Sequence, residues 1–294
     1  MHIFGELKDR GLALEIIQEL RKKGMNVVLD EDPLTGMYRL WLNDQSRLDE
    51  AFNYYRVRVG LPAPAVELPE EWQKLKKVPM GQLTKILILF SVIVTLFIYS
   101  DEKAMESLFF NRPGAAPFES ILSGEYWRLI TPIFLHFGLI HIVFNMLWLK
   151  DLGSLFEDQF GPKFLLLFTL IVGILSNLGQ YLHQGEKFGG MSGVVYGLLA
   201  LLWVLPKLVP QFEYKLPKHD INLMIIWYFL CLTGVFGPIA NMAHGLGASG
   251  GILTAVIVSV FFYGRFQAPL VLFQCFLALV IPLLTWVIET YIRG

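Results

Sequence analysis

From Leu83 onward the chain is a succession of long apolar runs, and this feature limits what it can fold into more than any other. Seven runs stand out: Leu83–Tyr99, Leu139–Leu155, Phe164–Leu182, Val194–Leu205, Ile221–Val235, Leu246–Tyr263 and Ala268–Ile288. A helix needs about 20 predominantly apolar residues to cross a bilayer, so the runs read as membrane spans, the fifth short and the fourth markedly so. A short helix must begin below the membrane surface, which leaves Gly189-Gly190-Met191 ahead of it as irregular chain at membrane depth. Such chain is tolerated only where protein buries it or water reaches it, so it already marks a site. Composition agrees, since 54% of the 294 residues are hydrophobic and 17% charged, against roughly 25% charged in an ordinary soluble domain.

The charges concentrate between Met1 and Lys77, which divides the chain into a soluble head and a membrane body. In the head, Leu12, Ile16, Ile17 and Leu20 recur at helical spacing with Gly24 as the stop signal. Met25–Leu29 and Met37–Leu42 suit two strands joined through Asp32-Pro33 and Thr35-Gly36. Asp44 or Ser46 then caps a second helix reaching Val59, packed by Leu48, Phe52 and Tyr55. The expectation is a small α+β domain over residues 1–60, a linker over 61–80 containing Leu61-Pro62-Ala63-Pro64, Pro69 and Pro79, a helical membrane core over 81–264, and an additional apolar segment over 265–294. Pro269 and Pro282 bend that last segment, which either spans as a seventh helix or lies re-entrant or at the interface.

Lys74, Lys76, Lys77 and Lys85 precede the first span, Lys207, Lys215 and Lys218 lie between the fourth and fifth, and Arg265 follows the sixth. The positive-inside rule places these sides, and the N-terminus, in the cytoplasm. Asp101–Arg128 is then external and the Ser192 end of the fourth span faces outward. A net charge of −1 without a basic stripe excludes nucleic acid as a partner. Glu6, Lys8, Asp9 and Arg10 ahead of any apolar stretch are unlike a cleaved signal peptide. Cys231 and Cys275 lie within apolar segments and read as small buried hydrophobes.

Four features of the body converge on one chemistry. Gly190-Met191-Ser192-Gly193 opens the fourth span, Ala243-His244 opens the sixth, His141 and Asn145 stand four apart on the second, and Trp127-Arg128 precedes it. A serine in a membrane helix ordinarily serves helix packing, whereas an ionisable histidine inside a bilayer is costly enough to read as functional. A serine hydroxyl becomes a competent nucleophile when a positioned neutral imidazole takes its proton, which makes Ser192 and His244 a candidate catalytic dyad. The oxyanion that follows needs donors, each worth about 2.7–4 kcal/mol in a measured case. His141 and Asn145, on one helix face, and the Ser192 backbone N–H at a helix start can supply them. Tyr196, four residues beyond Ser192, shares its face and is placed to stack on His244. Gly193 and Gly197 form one small-residue pair and Gly247 and Gly251 another, so close contact of the two helices brings Ser192 toward His244.

At these residues the chain resembles the rhomboid family of intramembrane serine proteases, in its GlpG-type bacterial branch. Trp127-Arg128, His136, His141-x-x-x-Asn145, Gly190-Met191-Ser192-Gly193 and Ala243-His244-x-x-Gly247-x-x-x-Gly251 carry the resemblance, over about residues 80–264. It implies a six-helix core in the bacterial inner membrane, without metal or cofactor, that cleaves single-span or polytopic membrane proteins within the lipid, near the outer surface. It also implies that Arg128 belongs to a structured external loop and that Glu157 and Asn241 are structural or substrate-lining. The segment after Arg265 is absent from the six-span members.

Other polar residues read more plainly. His136, five residues before His141, is a loop-packing hydrogen bonder; His183 and His219 are exposed histidines at span ends; Glu157 and Asp158 with Lys163 form a loop ion pair or helix cap. No His-Glu-x-x-His or further carboxylate set accompanies His136, His141 and His244 to suggest a metal. The competing functional class is a catalytically inactive rhomboid-like factor that binds membrane proteins for quality control, a class that typically lacks the serine or the histidine. A transporter would show paired broken helices, and only one broken entry is present.

Overall fold

The computed structural model describes residues 1–62, 73–74, 77–99 and 101–293. The linker positions Ala63, Pro64 and Pro69, and Lys76 ahead of the first span, lie outside the described residues. The chain divides into two compact units, Met1–Glu67 and Leu68–Gly294.

In the first unit, β1 (His2–Leu7), β2 (Val27–Glu31) and β3 (Tyr38–Leu42) form an antiparallel sheet in the order β1-β3-β2. The α1 helix (Arg10–Lys22) starts where the Asp9 carboxylate accepts from the backbone N–H groups of Gly11 and Leu12, and stops at Gly24, whose φ of 77° belongs to the left-handed region. The α2 helix (Leu48–Arg58) follows a 3-10 turn that Asp44 caps through the Ser46 N–H. Ile16, Ile17 and Leu20 of α1 and Ala51 and Tyr55 of α2 close over Phe4, Leu40 and Leu42 of the sheet, all buried. Two expectations need correction. β1 is a third strand that the apolar pattern did not announce, because a bulge between Ile3 and Gly5 breaks its alternation. Phe52 is not a core residue: it is 39% exposed and stacks on Tyr55, while Ala51 takes the buried position.

The second unit is helical. Its elements are α3 (Gln82–Ile98), α4 (Glu102–Leu108), α5 (Glu119–Leu122), α6 (Leu139–Phe160), α7 (Pro162–Gln184), α8 (Ser192–Leu208), α9 (Lys218–Leu232), α10 (Asn241–Phe261) and α11 (Ala268–Arg293). By length and composition α6, α7, α10 and Ala268–Tyr291 of α11 can cross a membrane, and α3 and α8 are shorter apolar helices. α11 is one helix of 26 residues with Pro282 inside it, so the last apolar segment runs as a single helix without doubling back on itself. α6 contains a π-helical turn at Leu149–Gly153.

α8 forms the axis of this unit. Most of its 17 residues are buried, on every side, as expected of a helix that is hydrophobic all round. Its contact with α10 is backbone on backbone: a Cβ added at Gly247 would overlap the Gly193 carbonyl, and one at Gly251 would overlap the Gly197 carbonyl. The reciprocal positions are nearly as tight, since a Cβ at Gly193 would stand 3.1 Å from the Ala243 carbonyl oxygen and one at Gly197 would stand 3.0 Å from that of Gly247. Elsewhere polar groups fix the packing. Glu157 of α6 is buried and accepts from the Leu83 N–H (2.9 Å), the Thr84 N–H (2.8 Å) and the Thr84 hydroxyl (2.8 Å), capping α3 from another helix. Gly81, the residue before α3, has no space for a side chain because that carboxylate occupies it. Of the two readings of Glu157 and Asp158 with Lys163, a loop ion pair or a helix cap, Glu157 is thus the cap, while Asp158 accepts from the Tyr214 hydroxyl.

Candidate active site

The backbone ahead of α8 is irregular and held from several sides. Gly190 has a φ of 127°, a conformation that L side chains rarely adopt. Its N–H donates to the Pro132 carbonyl at 3.0 Å. The next N–H, of Met191, donates to Nε2 of His136 at 3.4 Å, while Nδ1 of His136 lies 3.1 Å from the Phe134 carbonyl. A carbonyl only accepts, so the His136 proton sits on Nδ1 and Nε2 is free to accept; the two contacts require the same tautomer. His136 is fully buried and anchors the loop that presents Ser192.

Ser192 is the first residue of α8 and His244 lies in the first turn of α10. Their side chains meet, with Ser192 Oγ 2.8 Å from His244 Nε2. The imidazole is 4% exposed, and Nδ1 on its far side has no hydrogen-bond partner among the described residues. Tyr196 packs on it with ring centroids 4.7 Å apart and planes inclined by 34°. The Tyr196 hydroxyl donates to the Met224 carbonyl at 3.2 Å, and Tyr228 meets the Tyr196 ring edge-on at 5.6 Å.

His141 of α6 approaches from the other side. Its Nδ1 accepts from the Phe137 N–H at 3.2 Å, which leaves the proton on Nε2. A Cβ at Gly190 would come within 2.8 Å of that Nε2 and 3.6 Å of Ser192 Oγ, so the bare Gly190 backbone leaves open the space that both side chains border. Asn145, one turn along, is buried and donates one amide hydrogen to the His141 carbonyl at 2.9 Å. Its second hydrogen is not used in that bond. The backbone N–H of Ser192, at a helix start, has no acceptor within its own helix.

Comparison with known proteins bears on this arrangement. A model of the Rhomboid domain matches residues 123–261. A protein named Rhomboid protease GlpG from Salmonella paratyphi A is 32% identical over 243 residues, which cover 74% of this chain and 84% of that one. The chain belongs to the rhomboid family. Rhomboid protease GlpG of Yersinia pseudotuberculosis is 33% identical over 177 residues, and there the match spans 62% of the relative's length and 60% of this chain. Rhomboid protease GlpG of Yersinia pestis matches with the same identity and coverage.

In this rhomboid Arg128 is buried in the segment ahead of α6, donating to the carbonyls of Glu106 (2.9 Å) and Phe109 (2.8 Å) and pairing with Glu125. Trp127 beside it is half exposed. Asn241, the first residue of α10, donates to the Cys231 carbonyl at 3.1 Å and to Glu289 at 2.9 Å. One reading of a span-end residue is overturned here. His183 is not an exposed histidine, since only 12% of its side chain is accessible and Nε2 lies 2.9 Å from Glu289. Sequence reasoning also passed over Glu289, Gln180, Tyr228 and Thr285, all near the start of α10. The available signal was Glu289, the only charged residue from Ala268 to Tyr291.

Proposed function

We propose that this rhomboid is an intramembrane serine endopeptidase that hydrolyses peptide bonds in or near the membrane-spanning segments of other membrane proteins. The observation that carries this reading is the 2.8 Å contact between Ser192 Oγ and His244 Nε2 at the start of a buried helix. In the first step Ser192 Oγ bonds to the scissile carbonyl carbon as its proton passes to His244 Nε2. The carbonyl oxygen becomes an oxyanion beside the Ser192 N–H, with His141 Nε2–H and the second Asn145 amide hydrogen as further donors. Collapse breaks the C–N bond, and the departing amine takes the proton from His244. A water molecule then adds to the acyl carbon as its proton passes to His244; collapse breaks the C–Oγ bond, Ser192 Oγ takes that proton back from His244, and the new carboxylic acid leaves and ionises in water.

The basic residues Lys74 and Lys77 ahead of α3, Lys85 in its first turn, Lys207 in the last turn of α8, Lys215 between α8 and α9, and Arg265 after α10 favour a bacterial inner-membrane protein with a cytoplasmic head and the Ser192 end facing outward. Substrates then enter from the lipid on the external side. A helical segment shields its carbonyls in its own hydrogen bonds, so it must unwind before Ser192 can reach one.

The test is covalent. A fluorophosphonate is expected to add to Ser192 of the folded protein, as located by peptide mass spectrometry, and His244→Ala is expected to prevent it. An unlabelled Ser192 in active-conformation protein would favour a membrane-protein binding factor instead.

A further inference from the structure

The imidazole of His244 has no hydrogen-bond partner at Nδ1 among the described residues. A catalytic histidine whose far nitrogen is not held must be oriented by packing and by the placement of its helix. Both of these lead to α11. Glu289 of α11 is 2% exposed. It accepts from the Asn241 amide at 2.9 Å and the Gln184 amide at 3.4 Å, and its other oxygen lies 2.9 Å from His183 Nε2. Asn241 begins α10, one turn before His244, and the residue ahead of it, Ala240, offers no side-chain cap. The Gln180 amide donates to the Gln184 side-chain oxygen at 2.9 Å, and its own oxygen takes the Ala243 N–H at 3.1 Å. Glu289 thus closes a buried polar network around the opening turn of α10, where a carboxylate is favoured by the helix dipole.

A second contact acts on the ring itself. The Thr285 hydroxyl bonds the Tyr228 hydroxyl, and Tyr228 meets Tyr196, which packs on His244. Gly245, next to His244, allows this approach: a Cβ there would stand 2.8 Å from the Thr285 hydroxyl oxygen and 3.1 Å from that of Tyr228.

We propose that Glu289 and Thr285, on one face of α11, are positioning residues for His244. Glu289 fixes the first turn of α10 through Asn241 and Gln184. Thr285 fixes Tyr228 behind Tyr196. The inference rests on the protease reading, and its test separates the two. Glu289→Ala and Thr285→Val are each expected to lower kcat about 10-fold or more, because sub-ångström displacement of a base is costly, while KM stays within about twofold. Glu289→Gln, which keeps an acceptor for Asn241, is expected to restore part of the loss. Leu279→Ala, at an exposed position of the same helix, is expected to leave kcat unchanged.

Fluorophosphonate labelling distinguishes positioning from loss of fold. Slower labelling that still reaches full stoichiometry supports positioning. Reduced stoichiometry at an unchanged rate per active molecule overturns it, as does an unchanged kcat in both variants. Should Glu289→Ala fail to fold, Glu289→Gln and Thr285→Val decide by the same criteria. Absence of labelling and cleavage in the unsubstituted chain would sink the protease reading itself, and this inference with it.

Discussion

The head and the membrane body are held together by opposite means. In the head, Leu20, Leu40 and Leu42 fill the space between two helices and a sheet, and polar groups stay at the edges as caps and turn formers. In the body, the central contact between α8 and α10 has almost no side chain in it, and buried carboxylates such as Glu157 and Glu289 bind helices to each other. Water drives apolar side chains together in the first case. In the second, lipid is as apolar as leucine, so association depends on close backbone packing and on polar groups that find partners. The proposed chemistry lies in the second region, whose packing rule brings two helix starts near enough for a serine to touch a histidine.

The largest effect is expected at the point where that packing converges. Ser192→Ala and His244→Ala should each reduce cleavage of a single-span substrate in detergent by about 10⁴-fold or more, and the double variant should be little worse, because the pair acts as a unit. Purified Ser192→Ala that still cleaves would break the link between the helix contact and catalysis.

The contrast in packing predicts opposite responses to size. Leu20→Ala should destabilise the head by about 2–5 kcal/mol through the cavity it leaves, read as faster amide exchange in β3. Gly247→Ala, which adds one carbon, should destabilise the body by about 1–3 kcal/mol through overpacking, read as a lower melting temperature in detergent. If the added methyl at Gly247 were harmless, the backbone contact would not be what joins α8 to α10.

A smaller effect concerns pH in the head. The backbone N–H of Leu34, the Thr35 hydroxyl and Arg39 stabilise the ionised Asp32 carboxylate and hold its pKa below the ordinary 3.8. A depressed folded value contributes stability above the unfolded value that is lost as pH falls through the folded one. Protection of the amides around Gly36, taken against their intrinsic exchange rate at each pH, should therefore be steady from neutrality to about pH 4 and fall below it, and Asp32→Asn should flatten the fall. The smallest effect is expected for removal of Met1–Leu61, which should leave cleavage measurable, since every proposed chemical residue lies in the body. An inert but folded body would make the head part of the catalytic unit.

What the sequence disclosed follows the reach of its signals. The apolar runs, the Gly24 stop of α1 and the two glycine pairs are local or periodic, and the fold has them where the patterns put them, whereas the Asp9 cap of α1 emerged only with the structure. β1 escaped notice because Gly5 interrupts it, and glycine is required there since the Tyr55 ring lies where a side chain would go. The capping of α3 by Glu157 joins residues more than seventy positions apart, and no local pattern encodes such a partner. The same holds for Glu289, visible as a lone charge in an apolar run but mute about Asn241 and His183 until the helices are assembled.

The backbone contact between α8 and α10 also bears on how such a protein can vary over generations. At Gly247 and Gly251 every mutation enlarges the residue, since no amino acid is smaller, so the sequence has no neighbouring solutions to explore there. Drift in the distance between Ser192 and His244 is thereby closed off. On the proposed protease reading, divergence in substrate choice has to accumulate in surfaces that tolerate change, such as the exposed flanks of α3 and α9, while the Ser192–His244 geometry is inherited unaltered.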